Sequence, residues 1–146
     1  MEIRKEDVWF EDNISMDDFL ALRDSVGFQD LTVDEAQTVL FNSTKVFTAW
    51  YGGQCIAMVR LLTDYCLDAL ITDVIVHPNC QGQGVGYMLM QHVIDHIKEK
   101  QASTRLACLL YANKGKEPFY ESLGFEKLPN DRYGYGMMVE YQRETE

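Results

Sequence analysis

Residues 67–76, LDALITDVIV, are apolar almost without interruption and stop at His77-Pro78. A run like this predicts a strand buried on both faces, since a strand with one wetted face alternates apolar with polar and proline cannot donate to a ladder. Such a strand needs cover above and below, so the rest of the chain must supply two flanking layers. One layer follows at once. From Val85 through Leu89, Val93, Ile94 and Ile97 the apolar residues recur with a helical period, and Lys98 and Lys100 fall in the last turn, where cations suit the helix dipole.

The remaining segments complete the layers. Ile3 to Phe10 reads as a short strand, and Ser15 followed by Asp17 and Asp18 marks the start of a helix over about 16–26 that stops at Gly27. Thr32 and Glu35 have capping-box spacing and open a second, short helix with Ala36, Val39 and Leu40 on one face. Val46–Tyr51 and Gln54–Leu62 are β-branched and aromatic runs joined by Gly52-Gly53, a two-residue hairpin link. Arg105–Tyr111 reads as another buried strand, Pro118 opens a helix carrying Phe119, Tyr120 and Leu123, and Phe125–Leu128 and Tyr135–Tyr141 read as closing strands around the turn PNDRYG. The order β, α, α, β, β, β, α, β, α, β, β calls for an α/β or α+β layer fold with a mixed sheet. With 146 residues and no repeat or linker, a single domain over 1–146 is expected.

Composition removes several classes of function. No apolar run approaches the roughly 20 residues that span a bilayer, and the N-terminal stretch MEIRKEDVWFEDN has no signal-peptide core, so a cytoplasmic protein without a membrane partner is expected. Cys55, Cys66, Cys80 and Cys108 lack CxxC or zinc-ligand spacing and read as free thiols. A formal net charge of -10 repels nucleic acid and favours cationic partners. His92 and His96 share a helix face but lack a third ligand, so no metal is expected. Cys80 adjoins the glycine-rich loop, and a nucleophilic role there would need a basic neighbour, for which His77 is the candidate.

The segment between the buried strand and the long helix, HPNCQGQGVG, places Gly82, Gly84 and Gly86 at alternate positions. Alternate glycines by themselves describe a flexible turn. A loop at the carboxyl end of a buried strand that opens into a helix, however, aims unpaired N-H groups and the positive dipole end at one point, and glycine removes the Cβ atoms that keep a phosphate away. The sequence Gln81-Gly82-Gln83-Gly84-Val85-Gly86 is not the G-x-G-x-x-G of dinucleotide folds and lacks the Gly-Lys-Ser/Thr of a Walker loop.

It resembles instead the Q/R-x-x-G-x-G/A signature of the GCN5-related N-acetyltransferases, the GNAT superfamily, with DVIVHP before it as the family's fourth strand. Asn113 followed seven residues later by Tyr120, within NKGKEPFYESLGF, resembles the family's second motif, with Lys116 where a small residue is commoner. The resemblance implies a mostly antiparallel central sheet splayed between the fourth and fifth strands and flanked by about four helices. It implies acetyl-CoA as acetyl donor, with the diphosphate on Gln81, Gly82, Gln83, Gly84, Val85 and Gly86, and the pantetheine arm along Val74, Ile75 and Val76. Tyr120 becomes the candidate general acid for the departing thiolate, because a phenol of pKa about 10 keeps its proton at neutral pH; the other reading of its sequence position is an aromatic packed beside Phe119. Asn113 either hydrogen-bonds the pantetheine or holds the helix entrance.

The amine must lose a proton before attack, and Asp73 is the first candidate base, against a purely structural carboxylate; some relatives carry Glu at the preceding position, where this chain has Thr72. Lys114 and Lys116 are candidates to screen the coenzyme's 3'-phosphate or are plain surface. For the acceptor, the resemblance points to Arg23, Phe28, Tyr133 and Tyr135, an aromatic lining that suits a small, partly apolar amine. The activity it implies is direct transfer of acetyl to a primary amine of a small molecule. A non-catalytic acyl-CoA sensor and an acetyltransferase acting on protein amines are the alternatives. The C-terminal GYGMMVEY is a candidate edge for pairing with a second copy.

Overall fold

The apolar run becomes an inner strand of a five-stranded sheet in the computed structural model, which describes residues 1–143. The strands β1 (Trp9–Glu11), β2 (Lys45–Tyr51), β3 (Gln54–Thr63), β4 (Asp68–Val76) and β5 (Ala107–Leu109) lie side by side in chain order. All neighbours are antiparallel except β4 and β5, which are parallel. Helices α1 (Met16–Ser25), α2 (Val33–Asn42) and α3 (Val85–Lys100) accompany the sheet within one compact unit, Met1–Leu110. A second unit, Tyr111–Glu146, contains α4 (Glu117–Glu121).

Two adjacent residues of β2 show how the sheet is covered. Val46 packs with Phe19 and Leu22 of α1, Ala36 of α2, and Met58 and Ile75 of the neighbouring strands. Phe47 meets the rings of His92 and His96 on α3 edge-on, at 5.8 and 5.0 Å. Because successive side chains of a strand point to opposite faces, α1 and α2 cover one face and α3 the other. That two-sided burial explains the continuous apolar runs in β3 and β4. On α3 the inward residues Leu89, Met90, Val93 and Ile97 are all buried, each contributing about 1.5–3 kcal/mol relative to exposure.

Local chemistry sets the ends of these elements. Thr32 Oγ1 accepts from Glu35 N while Glu35 Oε1 accepts from Thr32 N, the reciprocal cap expected of that spacing, and Ser15 Oγ accepts from Asp18 N at the start of α1. Gly52 and Gly53 both have positive φ, 58° and 77°, as a two-residue hairpin turn requires.

Two irregularities in β4 position the site. Met58 of β3 faces Ile75 and Arg60 faces Thr72, so Val59 is opposed by both Asp73 and Val74. This is a β-bulge, and Asp73 takes it up in a left-handed conformation, φ 47°, that aspartate tolerates better than most residues. Second, β5 pairs with β4 only from Asp68–Ala107 to Leu70–Leu109. Beyond Leu70 the β4 strand runs on to Val76 without β5, which ends at Leu109.

Several expected strands take other forms. The Ile3–Phe10 segment forms a 3-10 turn at Lys5–Asp7, closed by Asp7 N donating to Arg4 O and by an Arg4–Asp7 ion pair, and only Trp9–Glu11 joins the sheet. Charged residues in the middle of that stretch bond locally, so the backbone turns before it can ladder. The strands expected at Phe125–Leu128 and Tyr135–Tyr141 are irregular. The turn between them does form, with Asn130 Oδ1 accepting from Arg132 N and Tyr133 N. Among the described residues its flanks form no ladder, and Met137 is 95% exposed and Tyr141 90%. Strand propensity describes fit to a packed, half-buried surface, and these two side chains are exposed.

Candidate active site

The loop leaving β4 carries its own scaffolding. Pro78–Cys80 forms a 3-10 turn whose entrance is held by His77 Nδ1 accepting from Asn79 N. Gln81 Nε2 donates to Val76 O at 2.9 Å, tying the loop back to the end of β4. Gln83 reaches the other way: its Oε1 accepts from Ile3 N at 2.7 Å and its Nε2 donates to Met1 O at 2.6 Å. Both glutamine side chains of the motif are thereby consumed in holding the loop in shape.

Its backbone donors, by contrast, are left over. The N-H groups of Gly82, Gln83, Gly84, Val85, Gly86 and Tyr87 have no hydrogen-bond partner among the described residues. Any helix leaves its first N-H groups without an intrahelical bond. Here the loop adds further unpaired donors before the helix begins, Gly84 offers no side-chain cap, and the first turn of α3 contains no acid. The other α-helices all have acid there: Asp17 and Asp18, Asp34 and Glu35, and Glu117. A set of unpaired amides at the positive end of a 16-residue helix fits a diphosphate.

The two positive-φ glycines of the loop serve different ends. Around Gly82, at φ 77°, the space a Cβ would occupy is open, as close approach of a ligand requires. At Gly84, φ 85°, a Cβ would lie 3.0 Å from both Cε and Nζ of Lys5. That glycine makes room for a lysine side chain, a use that the local sequence does not announce.

Asp73, Arg23 and Phe28 are brought together from three separate stretches. Asp73 Oδ1 accepts from Arg23 Nη1 at 3.0 Å and its Oδ2 accepts from Arg60 Nε at 2.9 Å, all three side chains being largely buried. The Arg23 guanidinium also lies over the Phe28 ring, 5.3 Å from its centroid, and donates through Nη2 to Gln29 O. Arg23 Nε is buried without a partner among the described residues. Arg23 and Phe28 line a surface cavity of about 380 Å³ together with Leu20, Asp24, Asp30 and Leu31. With both oxygens engaged by guanidinium groups, Asp73 anchors Arg23 at this cavity, and a proton arriving on it would break one of two charge-assisted bonds. Arg60 was missed in the sequence, although a lone arginine in IAMVRLL calls for a buried partner.

In the second unit Tyr120 lies on α4, packed edge-on against Phe119 at 5.0 Å and Phe125 at 6.2 Å. Burial pushes its phenol above the usual 10.0, so it stays protonated through neutral pH. Asn113 is exposed and its carbonyl accepts from Lys116 N just before α4. Tyr133 and Tyr135 are 45% and 77% exposed, Tyr133 beneath the Arg132 guanidinium.

The other reactive candidates are occupied by packing. His92 stacks on Phe10 at 4.8 Å, and the Tyr65 hydroxyl meets His96 Nε2 at 2.8 Å. No group of three or more His, Cys, Asp or Glu among the described residues is arranged to hold a metal. Cys80 is buried and burial pushes its thiol up, away from the thiolate a nucleophile needs.

The chain is similar to known proteins along most of its length. An uncharacterized N-acetyltransferase, ycf52, of the alga Gracilaria tenuistipitata var. liui is 30% identical over 80% of this chain and 64% of its own length, so the aligned part spans just under two-thirds of that relative. Serotonin N-acetyltransferase 2 of Oryza sativa subsp. japonica is 33% identical over 54% of this chain and 38% of its own. Among solved structures, SA2161 from meticillin-resistant Staphylococcus aureus superposes with a TM-score of 0.75 at 27% identity, covering 92% of this chain and 99% of that one. The model of the acetyltransferase (GNAT) family matches residues 11–125, and the chain belongs to that family.

Proposed function

We propose that the protein is an acetyl-CoA-dependent N-acetyltransferase that acylates a primary amine of a small molecule by direct transfer in a ternary complex. The observation that carries this reading is the row of unpartnered amides from Gly82 to Tyr87 at the entrance of α3. A family acyl donor with a diphosphate supplies the anion those donors lack. The open edge of β4 beyond Leu70 offers strand-like hydrogen bonding to the pantetheine arm along Val74, Ile75 and Val76.

In the proposed reaction the neutral amine attacks the thioester carbonyl, a C-N bond forms, and the C-S bond breaks as the tetrahedral centre collapses. Tyr120 gives its proton to the departing thiolate and recovers one from solvent; its half-buried, protonated phenol suits that task. The proton lost by the amine leaves through water, because Asp73 is held on both oxygens by Arg23 and Arg60. Arg23 and Phe28 line the cavity assigned to the acceptor, and the carboxylates of Asp24 and Asp30 on its rim favour a cationic molecule. Asn113, Tyr133 and Tyr135, all in the second unit, stay candidate binding residues in this proposal. A cytoplasmic setting belongs to the same proposal, and no helix among the described residues is long and apolar enough to cross a membrane.

Release of free thiol from acetyl-CoA, measured across a panel of small amines and a lysine peptide, tests this reading. Turnover with a small amine is expected, with kcat lowered about 100-fold or more in Tyr120→Phe at unchanged acetyl-CoA affinity. The acid must be protonated to act, and a raised pKa moves its loss to higher pH, so kcat should show no fall from this group below its usual 10.0. Binding of acetyl-CoA with no turnover would make the protein a sensor, turnover confined to the peptide would move the acceptor class to proteins, and an unimpaired Tyr120→Phe would remove the acid from that residue.

A further inference from the structure

The N-terminal segment is built into the phosphate loop. Gln83 grips it twice, through Ile3 N and Met1 O, and Ile3 is buried at 8% exposure. The 3-10 turn that follows then projects Lys5 across Gly84, where only the absence of a Cβ gives its Cε and Nζ room. Arg4, next to it, is neutralised by Asp7 at 2.8 Å. Lys5 has no such counter-charge: neither a hydrogen bond nor an ion pair engages its ammonium among the described residues.

This placement opposes ordinary electrostatics. A cation is favoured at the C-terminal end of a helix and disfavoured at the N-terminal end, where Lys5 sits beside unpartnered amides and the positive end of α3. In a chain of net charge -10, no acid among the described residues forms an ion pair with it. An ammonium, a helix N-terminus and a row of free amides gathered at one point are mutually repulsive unless an anion lies among them.

We propose that Lys5 is a ligand of the donor's diphosphate, a residue outside the glycine motif that the Gln83 clamp delivers to it. The inference rests on the reading that this loop binds acetyl-CoA. It assigns Gln83 a positioning role: its amide fixes the segment from which Lys5 reaches the phosphate oxygens. Lys5 contributes a charge-assisted contact to the negative group and relieves the repulsion described above.

Calorimetric titration of coenzyme A into wild type, Lys5→Met and Lys5→Arg at two salt concentrations tests it. Lys5→Met keeps the length of the side chain and removes its charge; Lys5 is exposed, so the fold should persist, with ligand-free melting as the control. The expected result is about tenfold weaker binding for Lys5→Met, a shallower salt dependence, and recovery of most of the affinity by Lys5→Arg. Equal affinity and equal salt dependence for Lys5→Met would overturn the assignment while leaving the acetyl-CoA reading in place, as would an equal loss in Lys5→Arg. Absence of binding by wild type would overturn the reading beneath it.

Discussion

Two polar constellations lie within residues 1–110, and they are opposites. Around Asp73 the carboxylate is closed off: two guanidiniums take both its oxygens and an aromatic ring lies beneath one of them, while Arg23 Nε stays buried without a partner among the described residues. Around Gly82–Tyr87 the charges are left open, with free amides, a helix dipole and an unpaired lysine all of one sign. Buried polar groups are costly unless paired, so the closed set is what a fold does for its own stability. The open set stabilises nothing by itself. In the proposed reading the open set is the ligand site, and Asp73 serves as an anchor rather than as the base.

The largest effect should come from breaking the closed set. Asp73→Asn keeps a residue that tolerates φ 47° but removes the charge between Arg23 and Arg60, and should lower unfolding free energy in urea by about 3 kcal/mol. A loss below about 1 kcal/mol, within the range of an exposed ion pair, would mean that the cluster is not closed in this sense. The folded variant should keep the wild-type pH profile of kcat/KM; loss of its low-pH limb, where a base is protonated, would restore Asp73 as the base.

Smaller effects should come from the open set, and they should fall on binding as well as stability. Gly84→Ala should lose about 1–2 kcal/mol to the left-handed backbone and weaken coenzyme A binding by displacing Lys5. Gly82→Ala meets no atom within 4 Å and should lose only the backbone contribution, about 1 kcal/mol, seen as a lower urea midpoint. If the two variants proved indistinguishable in both measurements, the distinct uses assigned to the two glycines would fail.

Much of this was legible in the residues, for identifiable reasons. The hairpin at Gly52-Gly53, the Thr32–Glu35 cap and the two-sided burial of β4 depend on local chemistry and periodicity, which sequence carries directly. The glycine loop reads as a candidate anion site because it lies between a strand and a helix, the placement on which the proposal rests. What stayed hidden depended on contacts distant in the chain. Lys5 lies against Gly84, 79 positions away in the chain, and nothing in MEIRKED marks it from its neighbour Arg4. The bulge at Asp73 was not visible in TDVIV, yet lone charges in adjacent apolar strands, Asp73 and Arg60, were a signal that they would meet. The two closing strands were expected around the turn PNDRYG; that turn forms, and the flanking residues are irregular.

The central claim is that the amides from Gly82 to Tyr87 hold the diphosphate of coenzyme A. Its most direct test is the thermal unfolding midpoint of the protein against increasing coenzyme A, run beside pantetheine, which lacks the phosphates. A ligand of the native state stabilises by mass action, reaching about 2.7 kcal/mol at a hundredfold excess over Kd, so the midpoint should climb steadily with coenzyme A and far less with pantetheine. A midpoint unmoved by millimolar coenzyme A, or moved equally by pantetheine, would contradict it.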